Sequence, residues 1–227
     1  MARFFNSSSP LLRRRLIVDA SPQVFVIDDD ASVRRAIRRL VESVGLRVEA
    51  MGSATEFLRT TRPDAPSCII LDVRLPEMSG LELQSELAAN GNPIPVIFIT
   101  AYGDIPMTVR AMRSGAIEFL PKPFRDQDLL DAVQIALERD RLRRRRDAEM
   151  SVLRDRFRSL TSREREILPL VVSGLLNKQI AALIEASEAT VKVHRSQLTR
   201  KMGARSLPEL VRIAEKIGIP STNPRGT

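Results

Sequence analysis

Carboxylates, a hydroxyl and an amine recur at comparable places along the first half of this chain. Asp28, Asp29 and Asp30 follow the apolar run QVFVI, and Asp72 follows SCIIL. Thr100 ends PVIFIT, and Lys122 lies just past AIEFL within Pro121-Lys122-Pro123. Carboxylates brought close together repel unless a cation sits among them. A hard divalent ion with oxygen ligands answers that repulsion, and Mg2+ is the natural choice. A lysine beside them balances charge and can hold an anionic oxygen, and a threonine hydroxyl can hydrogen-bond the same anion. An aspartate in such company is set up to receive a phosphoryl group, because aspartate is a competent phosphoryl-accepting nucleophile. Taken singly, each residue has a plainer role. The Asp28–Asp30 run can cap the helix after it, Lys122 can be a surface lysine, and Thr100 can be a strand-end hydroxyl.

The elements that must position these residues alternate in type. Short apolar runs read as buried strands, and each is followed by a segment with helical spacing. In SVRRAIRRLVESVG the apolar positions are Val33, Ala36, Ile37, Leu40, Val41 and Val44, with Gly45 as the stop. LRVEA is a weaker strand, and Ser53 with Glu56 suggests a capping box on the next helix. Five such β–α units predict a parallel sheet with helices on both faces, an α/β flavodoxin-like (βα)5 fold. With strand order 2-1-3-4-5, the first and third strands are neighbours, so Asp28 and Asp29 face Asp72. Ligands of such sheets bind beyond the carboxyl ends of the strands, where all the residues above fall.

From Asp128 to Leu160 there is no glycine or proline, which predicts a long helix carrying a linker over residues 141–158. Met150, Leu153, Phe157 and Leu160 are spaced like a short coiled-coil seam. Arg143–Arg146 read as a solvated helix face. Four short helices follow. The third, EATVKVHRSQLTRKMG, is cationic, and with the helix before it predicts a helix-turn-helix. Val191, Leu198 and Met202 form its inward face. Lys192, Val193, Arg195, Ser196 and Thr199 lie outward, and Arg200 and Lys201 sit where phosphates would be. His194, the one histidine, reads as a packing residue.

Charge agrees with two jobs. The chain has 227 residues and a formal charge of +8, yet residues 22–127 carry 12 basic against 14 acidic side chains, while residues 159–227 carry 11 against 6. An acidic front and a basic end suit a regulated module joined to a nucleic-acid binder. No apolar run approaches the ~18–20 residues of a membrane helix. The single cysteine, Cys68, cannot form an internal disulfide, and no Cys/His cluster suggests zinc. A cytoplasmic setting is expected. Residues 1–21, rich in Ser and Arg, read as a disordered leader, and residues 221–227 as a tail.

The stretches VFVIDDDASVRR, CIILDVRLPEMSGLEL and PVIFITAYGDIPMTVRAMRSGAIEFLPKPF resemble the receiver domain of bacterial two-component response regulators, most closely the FixJ type, over residues 22–140. The resemblance implies that Asp72 is the phosphorylated residue. It implies that Asp28, Asp29, Asp72 and the backbone carbonyl of Arg74 hold Mg2+, and that Lys122 binds the phosphate. Thr100 and Phe119 fall at the switch positions, and the Lys122–Pro123 bond is expected to be cis. Residues 159–220 resemble the LuxR-type DNA-binding domain through LTSREREIL, GLLNKQIA and TVKVHRSQLTRKM. That likeness places Asn177, Lys178, Thr190, Lys192, Val193, Arg195, Ser196, Arg200 and Lys201 at DNA. Lys192, Val193 and Ser196 fall toward bases, and Arg195, Arg200 and Lys201 toward the backbone. Two departures stand out: Pro169 lies inside the first helix of this domain, and Ala186 sits where a larger aliphatic is usual. The implied partners are a sensor histidine kinase, double-stranded DNA with promoter half-sites, a second copy of the chain on phosphorylation, and RNA polymerase. The implied role is a dimeric activator rather than an enzyme, beyond receiver self-phosphorylation and autodephosphorylation. Hydrolases working through an aspartyl phosphate usually carry a second acid two residues after the nucleophile, and here that place holds Arg74.

Overall fold

The computed structural model describes residues 21–91, 94–101 and 105–219. The expectations for residues 1–20 of the leader and for the 221–227 tail lie outside the described residues. The chain divides into two compact units, one through Arg145 and one from Arg146.

In the first unit the strands are β1 (Gln23–Ile27), β2 (Arg47–Met51), β3 (Ser67–Asp72), β4 (Val96–Thr100) and β5 (Glu118–Pro121). All pair in parallel, in the order β2-β1-β3-β4-β5. Between them run α1 (Ala31–Ser43), α2 (Ala54–Arg59), α3 (Gly80–Ala89) and α4 (Ile105–Arg113), and α5 (Asp126–Arg158) follows β5. Successive strand side chains point to opposite faces, so the continuous apolar runs supply two cores. Phe25, Ile27, Ile69, Leu71 and Phe98 pack with Phe57 of α2, Leu83 and Leu87 of α3 and Ala111 of α4. Val24, Val26, Ile70, Ile97 and Ile99 pack with Ile37 and Val41 of α1 and with α5. Ser53 caps α2 by accepting the Glu56 N–H (3.1 Å). The expected reciprocal half of that capping box is displaced by one residue, because the Glu56 carboxylate accepts from Gly52 N–H instead (2.9 Å).

The buried stripe of α5 runs Leu129, Ala132, Val133, Ala136, Leu137 and then reaches Asp140, which is only 1% exposed. One turn earlier in the pattern an apolar side chain fills this position. Here the carboxylate accepts the Ser67 N–H at the start of β3 (2.9 Å) and holds Arg143 (2.6 Å) and Arg144 (2.7 Å). Arg144 also reaches Asp64 (2.6 Å). The expected solvated arginine face is therefore half wrong: Arg143 and Arg144 are anchored, because a buried carboxylate must be paired. Asp140→Ala is expected to destabilise the receiver unit by about 1–3 kcal/mol, since it leaves the buried Ser67 N–H without its acceptor and takes from Arg143 and Arg144 their shared carboxylate. A urea titration followed by circular dichroism measures this.

In the second unit, α6 (Ser162–Val172), α7 (Asn177–Leu183), α8 (Glu188–Met202) and α9 (Leu207–Lys216) surround a core that includes Ile167, Val171, Ile180, Val191, Leu198, Met202 and Leu210. Thr161 and Glu164 form a true capping box on α6. Pro169 is accommodated within that helix. Leu153 and Leu160 are buried in this core, with Met150 and Phe157 against it. The seam expected for a coiled coil is thus the first layer of the carboxy-terminal core. Its spacing of 3 and 4 is common to both arrangements.

Candidate functional site

Register brings the acids together. Ile27 pairs with Leu71 across β1 and β3, so Asp28 and Asp72 emerge side by side at the carboxyl edge of the sheet. Thr100 pairs with Pro121 across β4 and β5, and the Lys122 N–H donates to the Thr100 carbonyl (2.7 Å). That contact turns Lys122 back over the strand ends, and the Lys122–Pro123 bond is cis. Its ammonium lies 2.7 Å from Asp28 Oδ2 and 2.7 Å from Asp72 Oδ2. Asp72 Oδ1 accepts the Arg74 N–H (2.9 Å) and Asp28 Oδ1 accepts the Asp30 N–H (2.9 Å). Asp28 and Thr100 are fully buried and Asp72 nearly so, while Asp29 is exposed. Of the three consecutive acids, Asp30 is the helix cap: it accepts the Ser32 N–H at the start of α1 (2.7 Å).

Burial pushes the Asp28 carboxyl above its usual range, against the hydrogen bonds from Lys122 and Asp30. Burial works against the Lys122 ammonium too, but its bonds to Asp28 and Asp72 prevail and raise it. Asp28, Asp29 and Asp72 each offer a carboxylate oxygen, and these lie within 4.8 Å of one another. Three acids facing one lysine leave negative charge uncompensated, and an all-oxygen donor set of this kind fits a hard divalent cation. Phe119 is half-buried, its ring 6.2 Å from that of Phe98.

Gly80 starts α3 against this edge. Its N–H donates to the Val73 carbonyl (2.9 Å), and a Cβ there would lie 2.3 Å from the Asp72 carbonyl oxygen. Gly80→Ala is expected to cost about 1–3 kcal/mol by overpacking, read as a lowered urea midpoint. In the sequence this glycine closes the Pro–Glu–Met–Ser–Gly turn after Asp72, but the turn pattern does not announce its close approach to the Asp72 carbonyl.

On α8, Val191, Leu198 and Met202 are buried as expected, and Thr190, Lys192, Val193, Ser196 and Arg200 are exposed. Lys178 is exposed at the start of α7. Three other expected DNA contacts are engaged within the domain. Arg195 donates to Asn177 Oδ1 (3.0 Å) and to the Leu175 carbonyl (3.3 Å), which fastens α8 to the start of α7. Lys201 pairs with Glu164 (2.7 Å), a residue with no exposed surface. The ion pair gives Lys201 a role in the fold besides the phosphate contact expected of it, because a buried carboxylate requires a partner and the lysine side chain keeps 30% of its surface exposed. Arg163, which sequence reading missed, donates to the Ile184 carbonyl in the helix-turn-helix turn, where Glu185 adopts a left-handed φ of 53°.

The chain matches the model for the response regulator receiver domain over residues 24–134 and that for bacterial regulatory proteins of the luxR family over residues 158–214. It is 52% identical to nodulation protein W of Bradyrhizobium diazoefficiens, covering 90% of each chain. It is 44% identical to the transcriptional regulatory protein FixJ of Azorhizobium caulinodans, covering 86% of this chain and 93% of that one. Among solved structures it is similar to the response regulator StyR, with a TM-score of 0.80 and 51% identity, over 87% of this chain and all of that one. With a receiver edge of paired acids and lysine on the first unit and a helix-turn-helix on the second, the chain belongs to the two-component response regulators of the FixJ type and is a transcriptional regulator.

Proposed function

We propose that Asp72 accepts a phosphoryl group from a histidine kinase and that this modification controls DNA binding. The observation that carries the reading is the Lys122 ammonium 2.7 Å from both Asp28 and Asp72. In the transfer, a carboxylate oxygen of Asp72 forms a bond to phosphorus as the phosphorus–nitrogen bond of a phosphohistidine breaks, and the imidazole leaves with the electron pair. Lys122 neutralises the oxygens that gain charge, and the Thr100 hydroxyl donates to the same group. Asp28, Asp29 and Asp72, with the Arg74 carbonyl, would hold Mg2+. When bound, that ion supplies electrostatic stabilisation of the transferring phosphoryl. Arg74 in place of a second acid supports a stoichiometric acceptor rather than an enzyme of many turnovers.

The output is a shift of Thr100 and Phe119 that favours pairing of two chains. Ile105, Val109 and Met112, spaced by 4 and 3 on α4, are exposed apolar side chains available for that contact. A dimer then reads two half-sites about one helical turn apart. Lys192, Val193 and Ser196 approach bases, while Lys178, Thr190 and Arg200 hold phosphates. No helix among the described residues is long and apolar enough to cross a membrane, which supports a cytoplasmic site of action. Recruitment of RNA polymerase by the bound dimer makes it an activator.

The test is a DNA-binding titration of the full chain with and without an acyl phosphate and Mg2+. Affinity for a site selected from random sequence is expected to rise at least tenfold on treatment, and Asp72→Asn is expected to abolish the rise. A rise that survives Asp72→Asn overturns the reading.

A further inference from the structure

Helix α1 carries Arg34, Arg35, Arg38 and Arg39, and of these only Arg34 is half-buried. Its Nη1 donates to the backbone carbonyl of Asp28 (2.6 Å) and to that of Asp29 (2.9 Å). These carbonyls lie past the end of β1, where the parallel ladder no longer supplies donors, so a side chain satisfies them instead. Two successive carbonyls drawn to one nitrogen fix the orientation of the peptide planes on either side of Asp29. The Asp29 carboxylate itself has no hydrogen bond among the described residues, whereas Asp28 is held by Lys122 and the Asp30 N–H. The direction of Asp29 is therefore set by its backbone, and its backbone is set by Arg34.

We propose that Arg34 is a positioning residue that aims Asp29 at the site shared with Asp28 and Asp72. The inference rests on reading those acids as a Mg2+ site. Charge and geometry make opposite predictions for it. A guanidinium near a divalent cation repels it, so removing the charge alone tightens Mg2+ binding. Removing a group that orients a ligand weakens metal binding, by roughly 10–100-fold in comparable cases.

The experiment is calorimetric titration of the full-length protein with Mg2+, without phosphodonor, at a temperature well below unfolding. Arg34→Ala is expected to raise the Mg2+ dissociation constant about 10–100-fold, and added methylguanidinium is expected to recover part of the loss in this variant while leaving the wild type unaffected. Loosening of the fold without misdirection of Asp29 lowers the urea midpoint but leaves the dissociation constant where it was. An unchanged or tighter constant overturns the inference. If Arg34→Ala does not fold, Arg34→Gln, which is neutral and too short to reach both carbonyls, is read with the same sign. A wild type that takes up no Mg2+ overturns the magnesium reading and this inference with it. A wild type that binds, with variants that bind equally well, overturns this inference alone.

Discussion

Lys201→Met is expected to destabilise the carboxy-terminal unit by about 1–3 kcal/mol, because Glu164 loses its counter-ion but keeps the Thr161 N–H, and the Lys201 side chain is itself 30% exposed. Glu164 is fully buried. One of its oxygens accepts from Lys201 (2.7 Å) and from the Thr161 N–H (2.7 Å), and the other is a buried atom with no hydrogen bond among the described residues. Burial by itself pushes Glu164 up, but the Lys201 ammonium and the Thr161 cap hold it below its ordinary value of 4.5. Without the lysine the carboxylate must be buried unpaired or take up a proton. The double variant Glu164→Leu with Lys201→Met removes both charges and is expected to regain part of the loss, the remainder being the capping bond from the Thr161 N–H that Glu164 supplied. Urea unfolding by circular dichroism measures each, since the chain has no tryptophan. A lysine that only touched phosphate would leave stability alone and reduce the salt slope of DNA binding by about one. The pH dependence follows from the sign of the shift. The folded-state value lies below the unfolded one, so the contribution of Glu164 is complete above about pH 4.5. It is lost as pH falls from there through the folded-state value. Acid unfolding of wild type and Lys201→Met is expected to converge at the low end of that window.

Lys122→Ala is expected to slow phosphoryl acceptance by about 10²–10³-fold at saturating Mg2+, the range found when one preorganised donor is taken from a developing anion. The lysine is the direct partner of both buried acids. Initial rates of labelling by an acyl phosphate provide the measurement. Lys122→Arg is not expected to restore the rate, because a planar guanidinium cannot occupy the place of a compact ammonium held between two carboxylates. A rate within threefold of wild type in Lys122→Ala would remove the lysine from the chemistry.

The parts of the molecule that could be read from sequence are those governed by local pattern. Continuous apolar runs ending in Asp28, Asp72 and Thr100 announced strands with chemistry at their ends, and the parallel order then put those ends together. The buried face of α8 followed from spacing alone. What escaped depended on contacts distant in sequence. Asp140 meets Ser67 across 73 positions and Glu164 meets Lys201 across 37, and no local signal distinguishes such a carboxylate from a solvated one. The same holds for Arg143, Arg144 and Arg195, whose type suits solvent, phosphate or a buried acid equally well. The seam from Met150 to Leu160 reads as apolar and helical, but its period does not say which helices it packs against. Arg34 was hidden among four arginines on one helix, and only its reach back to two carbonyls sets it apart.

Borohydride reduction of the acyl-phosphate-treated protein, followed by peptide mass analysis, locates the modified side chain directly, since an aspartyl phosphate is reduced to homoserine. Conversion is expected at Asp72 and nowhere else, with no more than one event per chain. Homoserine at Asp28 or Asp29, or none at position 72 in protein whose DNA affinity has nevertheless risen, would contradict it.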